Sequence, residues 1–152
     1  MAVRRLLHLN VVCSNLERSL AFYTEVVGAK VAAEASNAGD DFLGAMGYPG
    51  GSSYRACLLY FGDAIRGPYI DLLEWEVKGK EDAPGPRDLG IPRIALGVED
   101  VNASYQELLE KGIEPCGAPV DLQVGEHRVR AFMFPDPDGV LVEFAQFLHD
   151  PS

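Results

Sequence analysis

The chain has 152 residues, 47% hydrophobic and 24% charged, the profile of one globular domain with a core of its own. Thirteen Lys and Arg against 23 Asp and Glu leave a formal charge of −10, which argues against nucleic acid as a partner and suits solubility or a cationic ligand. No apolar run approaches the roughly 18 residues of a membrane span, and three scattered cysteines with no C-x-x-C pair predict a reducing, cytoplasmic setting in which each thiol is a small buried hydrophobe.

The opening MAVRRLLHLN reads as the start of a strand over 4–12 rather than as a signal peptide. In it Leu6, His8, Asn10 and Val12 share one face. Ser14-Asn15-Leu16-Glu17 matches a capping box, and Leu16, Leu20, Tyr23 and Val27 form the apolar stripe of a helix that Gly28 stops. Residues 29–35 return as a strand. Residues 36–53 read as a long loop of the kind that serves as a lid or binding loop, with Phe42 and Met46 on it and Tyr54 beside it as candidate pocket walls. Residues 54–61 and 69–77 are a strand pair. Trp75 is assigned to the helix-covered face, as core.

Residues 78–90 carry charge, Pro84, Gly85 and Pro86, and read as a linker. A strand over 91–98 follows, then a helix over 101–111 between an Asp100 cap and Gly112. Strands are expected near 113–119, 126–134 and 140–147. Asp136-Pro137-Asp138-Gly139 is turn chemistry, since the spacing lacks the rest of a calcium loop. His127 and His149 are expected in solvent.

The chain repeats itself. LLHLNVV (6–12) is echoed by IPRIALGV (91–98), and LERSLAFYTEVVGAKV (16–31) by VNASYQELLEKGIEPC (101–116). The offsets agree: 93 − 8 = 85 and 101 − 16 = 85. DLLEW (71–75) is set against LVEF (141–144). Each module is therefore strand-helix-strand-strand-strand: module one 4–77, linker 78–90, module two 91–148. Packed about a pseudo-twofold axis, the modules would bring His8, Glu74, Arg93 and Glu143 to one cavity.

The stretches HLNVV-x-x-NLERSLAFYTEVVGAKV, RIALGVEDVNASYQELLEKGIEP and FPDPDGVLVEFAQ resemble the vicinal oxygen chelate superfamily over residues 4–148. That superfamily includes glyoxalase I, extradiol dioxygenases, methylmalonyl-CoA epimerase, fosfomycin-resistance enzymes and bleomycin-binding proteins. The resemblance implies an α+β fold of two tandem βαβββ modules that pair into a curved, mostly antiparallel eight-stranded sheet with helices on the outer face. It also implies a homodimer and a small-molecule ligand or substrate, while the acidic charge and the lack of a long apolar run already speak against nucleic acid and membrane. By the same resemblance His8, Glu74 and Glu143 match the metal-ligand positions, and one divalent ion (Fe, Mn, Ni or Zn) would complete the site.

Arg93 stands where metal-using members have His. A guanidinium has no lone pair to donate. At about 5 Å two like unit charges repel by roughly 3 kcal/mol at an effective dielectric near 20, and a divalent ion about doubles that. Arg93 could instead neutralise Glu74 or Glu143 by a two-pronged hydrogen bond, and this tips the expectation towards no metal. Glu143, Glu74 and His8 are the candidate catalytic residues. Arg93, Asn10, Phe42, Met46 and Tyr54 are the candidate substrate contacts. Two functions stay open on the sequence. One is an enzyme of the glyoxalase/bleomycin resistance/dioxygenase type, with lyase or isomerase chemistry ahead of dioxygenase. The other is a non-catalytic protein that sequesters a drug or natural product.

Overall fold

A computed structural model of the chain describes residues 2–37, 41–47, 52–62 and 67–148. The chain forms two compact units, 1–81 and 82–152. Each unit contains a four-stranded mixed sheet with one parallel and two antiparallel pairings.

In the first unit β1 (His8–Val12) leads to helix α1 (Leu16–Ala21), which continues as a wide π-helical turn over Phe22–Val26. The cap is Asn15, one residue later than the capping box predicts; its side chain accepts from the Arg18 N–H at 2.8 Å. Ser14 instead accepts from the Arg18 guanidinium at 2.8 Å. The π turn widens the helix so that Phe22 and Tyr23 are both buried, and Gly28 ends it at φ +84°, where a Cβ would be strained. Strand β2 (Lys30–Asn37) runs two residues into the expected loop, which also holds the short helix α2 (Asp41–Ala45). Strands β3 (Tyr54–Tyr60) and β4 (Tyr69–Trp75) complete a sheet ordered β1-β4-β3-β2.

The second unit repeats this plan with β5 (Arg93–Gly97), helix α3 (Val101–Glu110), β6 (Val120–Val124), β7 (His127–Pro135) and β8 (Leu141–Leu148), in the order β5-β8-β7-β6. Asp100 caps α3 by accepting from the Asn102 and Ala103 N–H groups, worth about 1 kcal/mol, and Gly112 follows the helix at φ +75°. The strand expected over 113–119 is displaced to 120–124. Pro115, Gly117 and Pro119 break the earlier stretch, because proline lacks the N–H that a ladder needs. Asp136 accepts from the Asp138 and Val140 N–H groups, so the Asp-Pro-Asp-Gly segment is a turn.

Each sheet packs one face beneath its helix. In the first unit that core holds Val11, Tyr23, Leu59 and Leu72. In the second it holds Val101, Leu108, Val142 and a cluster of Phe132, Phe134 and Phe144, whose rings meet at 5.0–5.9 Å between centroids. Such pairs add about 0.5–1.5 kcal/mol each beyond their burial. Cys13 and Cys57 are buried as expected, but Cys116 is exposed; its segment lies outside the ladder. His127 is exposed and edges against Phe147. His149 lies outside the described residues. Among the described residues no helix is long and apolar enough to cross a membrane.

Candidate functional site

Strand register decides which side chains share a face, since a one-residue slip moves every side chain to the other side. In the first unit β1 pairs with β4 so that His8 lies beside Tyr69, Asn10 beside Asp71 and Val12 beside Leu73. Asn10 donates to the Asp71 carboxylate at 2.9 Å, which fixes these side chains on one face, away from the helix. Trp75 shares that face by alternation and meets Tyr54 edge-to-face at 5.3 Å.

Glu74 points the other way. One carboxylate oxygen accepts from the Leu16 N–H at the start of α1 (3.1 Å) and from Arg55 (2.6 Å); the other takes Lys78 at 2.7 Å. Arg55 also holds Glu17 at 2.5 Å. Hydrogen bonding from Lys78, the largest effect, pulls the Glu74 carboxyl down; burial pushes it up, and the Leu16 amide and Arg55 add to the pull, leaving it at about 2. Arg55 is raised in turn by its bonds to Glu17 and Glu74.

Two expectations are thereby corrected. Glu74 lies on the helix side of the sheet, across from His8, so His8 and Glu74 do not converge. Trp75, assigned to the helix-covered face, lies on the opposite one. Both follow from setting DLLEW against LVEF. The parallel ladders set the repeat differently: Asn10 pairs with Asp71 where Ala95 pairs with Glu143. Asp71-Leu72-Leu73-Glu74-Trp75 therefore matches Glu143-Phe144-Ala145-Gln146-Phe147. The counterpart of Glu143 is Asp71, which the sequence reading passed over. The clue was the aromatic residue four places after each acid.

In the second unit Arg93 pairs along the ladder with Leu141, and Ala95 with Glu143. Arg93 and Glu143 do come together: Nε stands 2.7 Å from Oε2. The contact is single-pronged, not the two-pronged bond expected. That oxygen is buried and has no aligned hydrogen bond, so the pair is held by charge and proximity. Glu143 is 8% exposed, while the Arg93 side chain is 52% exposed. A buried carboxylate thus lies beneath a cation that solvent can reach.

The other candidates scatter. His8 and Asn10 are exposed on β1, and Met46 is exposed at the turn after α2. Phe42 lies on α2, but its side chain is outside the described residues. Tyr54 and Trp75 border a cavity of about 500 Å³ at the end of the β3–β4 pair, with Glu76 and Lys78 beside them.

The donor set His8, Glu74 and Glu143 does not fit the divalent ion that the family resemblance implies. Glu74 is taken up by Arg55, Lys78 and a helix amide on the far face of its sheet, and Glu143 is held by Arg93. Among the described residues no three His, Cys, Asp or Glu side chains gather as a metal-holding group.

The profile of the Glyoxalase/Bleomycin resistance protein/Dioxygenase superfamily matches residues 5–144. A protein named probable lactoylglutathione lyase from Vibrio cholerae is 26% identical over 147 residues, covering 96% of this chain and 93% of that one. A glyoxalase family protein from Bacillus cereus superposes with a TM-score of 0.79 at 20% identity, over 98% of this chain and 97% of that one. A trypanothione-dependent glyoxalase I from Leishmania major gives 0.65 at 23% identity, over 95% of this chain and 87% of that one. At these identities the solved structures speak for the fold alone.

Proposed function

The chain belongs to the Glyoxalase/Bleomycin resistance protein/Dioxygenase superfamily, and within it we propose a small-molecule enzyme that moves a proton next to a carbonyl, a lyase- or isomerase-type reaction. Glu143 is the base and Arg93 holds the oxyanion. The observation that supports this reading is the Arg93–Glu143 contact: a buried carboxylate oxygen, without an aligned hydrogen bond, beneath a half-exposed guanidinium.

The chemistry follows from that geometry. A substrate oxygen that engages Arg93 competes with Glu143 for the guanidinium. Glu143 then takes the proton from the carbon beside the carbonyl, and the C–H electron pair forms the enolate double bond. The carbonyl π electrons move to oxygen, whose negative charge Arg93 stabilises. Where the deprotonated carbon also bears a hydroxyl, as in the hemithioacetal of a ketoaldehyde, the enolate is an enediolate: the hydroxyl proton passes to the Arg93-held oxygen, that carbon becomes the new carbonyl, and Glu143 returns its proton to the former carbonyl carbon, an isomerisation with no oxidant or reductant. Glu74 is left out, because its bonds are structural.

The relative's name suggests the first substrate to try. Lactoylglutathione has the atoms of methylglyoxal plus glutathione, so formation of that thioester from the two is the assay. The reading expects turnover that falls by about 10²–10⁴-fold in Glu143→Gln. Turnover unaffected by Glu143→Gln would overturn it.

The burial of Glu143 beneath Arg93 also favours a second reading, sequestration of a ligand without turnover. Saturable binding of the thioester with no formation or breakdown would select that alternative.

A further inference from the structure

The two units differ at one matched place beneath their helices. Leu16 and Val101 are the first residues of α1 and α3, and four residues on stand Leu20 and Tyr105. Cys57 pairs with Leu72 as Phe132 pairs with Phe144, so Cys57 and Phe132 are also counterparts. In the second unit Tyr105 and Phe132 meet edge-to-face at 5.2 Å and fill the space between helix and sheet. In the first unit the same positions carry an aliphatic side chain and a small thiol. At these positions α1 and the β2–β3 pair flank a cavity of about 460 Å³, which the smaller side chains leave open.

The cavity has an apolar floor and a charged rim. Leu16, Leu20 and Cys57 line the floor, and burial pushes the Cys57 thiol upward, keeping it neutral. Glu17, Glu34 and Arg55 stand at the rim. Arg55 is already held by Glu17 and Glu74. Glu34, which pairs with Cys57 across the strands, adds a second carboxylate to the lining, on a chain of formal charge −10.

We propose that this cavity is a binding site for a small aromatic amine in its cationic form. The ring takes the space that Tyr105 and Phe132 fill in the other unit, and the ammonium faces Glu34. A flat ring suits a slot that aromatic side chains fill elsewhere in the same chain, and charge complementarity at the rim selects a cation over an anion. The site lies on the helix side of the sheet, away from the face that carries Asn10 and Asp71, and it does not rest on the Arg93–Glu143 chemistry.

The test is a titration of the full chain with phenethylammonium chloride, followed by amide shifts in the ¹H–¹⁵N spectrum. Saturable shifts are expected at Leu20, Glu34 and Cys57. Leu20→Tyr, which restores the residue of the other unit, should weaken binding by about tenfold or more by filling the slot, and Glu34→Gln should weaken it severalfold. Cys57→Phe provides the same blockade if Leu20→Tyr does not fold. No saturable shift at these amides, or affinity unchanged in the filled and neutralised variants, overturns the proposal.

Discussion

Glu74 and Gln146 occupy the same position in the two units and do the same thing: each side-chain oxygen accepts the first amide of a helix, Leu16 N–H or Val101 N–H, at 3.1 Å. The second unit performs this task without a charge. Glu74→Gln should therefore be tolerated, with loss of the Arg55 and Lys78 attractions but retention of the acceptor. Glu74→Ala should cost about 1 kcal/mol or more, because the helix start loses its partner. Urea midpoints of the two variants measure the difference. Neither substitution should affect turnover beyond its effect on folding.

Glu74 also sets an acid limb on stability. Its carboxyl lies at about 2 in the folded chain and near 4.5 ordinarily. A depressed folded value means that the stabilisation is complete above the ordinary value and is lost as pH falls towards about 2. Glu17 and Asp121, lowered by bonds to Arg55 and Arg130, shift in the same direction, but both are exposed and add little. The melting temperature should fall through this window, and the fall should be shallower in Glu74→Gln. An equally steep fall in that variant would place the acid sensitivity elsewhere.

Phe134 is fully buried and touches Phe132 and Phe144. Phe134→Ala should cost about 3–5 kcal/mol through the cavity left behind. Phe147, on the other face of its sheet and 60% exposed, should lose no more than about 1 kcal/mol when truncated. Paired denaturation curves check the contrast.

Asp71 is the residue that the repeat brings into correspondence with Glu143. On the face away from the helix it accepts from Asn10 at 2.9 Å in an exposed pair, so Asp71→Ala should cost no more than about 0.5 kcal/mol, less than Glu74→Ala on the helix side. Urea midpoints compare the two variants. A loss in Asp71→Ala equal to or greater than that in Glu74→Ala would contradict the face assignment.

Much of this fold was legible in the sequence because its signals are local. The Asp100 cap, the Gly28 and Gly112 stops and the repeat offset of 85 lie within short windows. The strand-helix-strand-strand-strand order followed from them, and the family from the resemblance carried by three longer stretches. The candidate site was less legible, because it turns on strand parity. Setting Glu74 against Glu143 looked natural, since both follow apolar residues in a last strand. The ladder matches Asp71 to Glu143, and three residues further on Glu74 falls on the helix side. The aromatic four places after each acid is the only local hint of that choice; it is fixed by the Asn10–Asp71 and Ala95–Glu143 pairings, which are long-range. The π turn at 22–26 and the displacement of β6 past Pro119 were hidden for a similar reason, since an apolar stripe and an apolar run permit more than one backbone.

The central claim is that the Arg93 guanidinium is the anion anchor and that Glu143 competes for it. Oxalate, a planar dianion with the oxygen spacing of an enediolate, tests this by calorimetric titration of the native chain, Arg93→Ala and Glu143→Gln. The account predicts measurable binding to the native chain, its loss in Arg93→Ala, and several-fold tighter binding in Glu143→Gln, where the competing charge is gone. Binding to Arg93→Ala as tight as to the native chain, or weaker binding in Glu143→Gln, would contradict it.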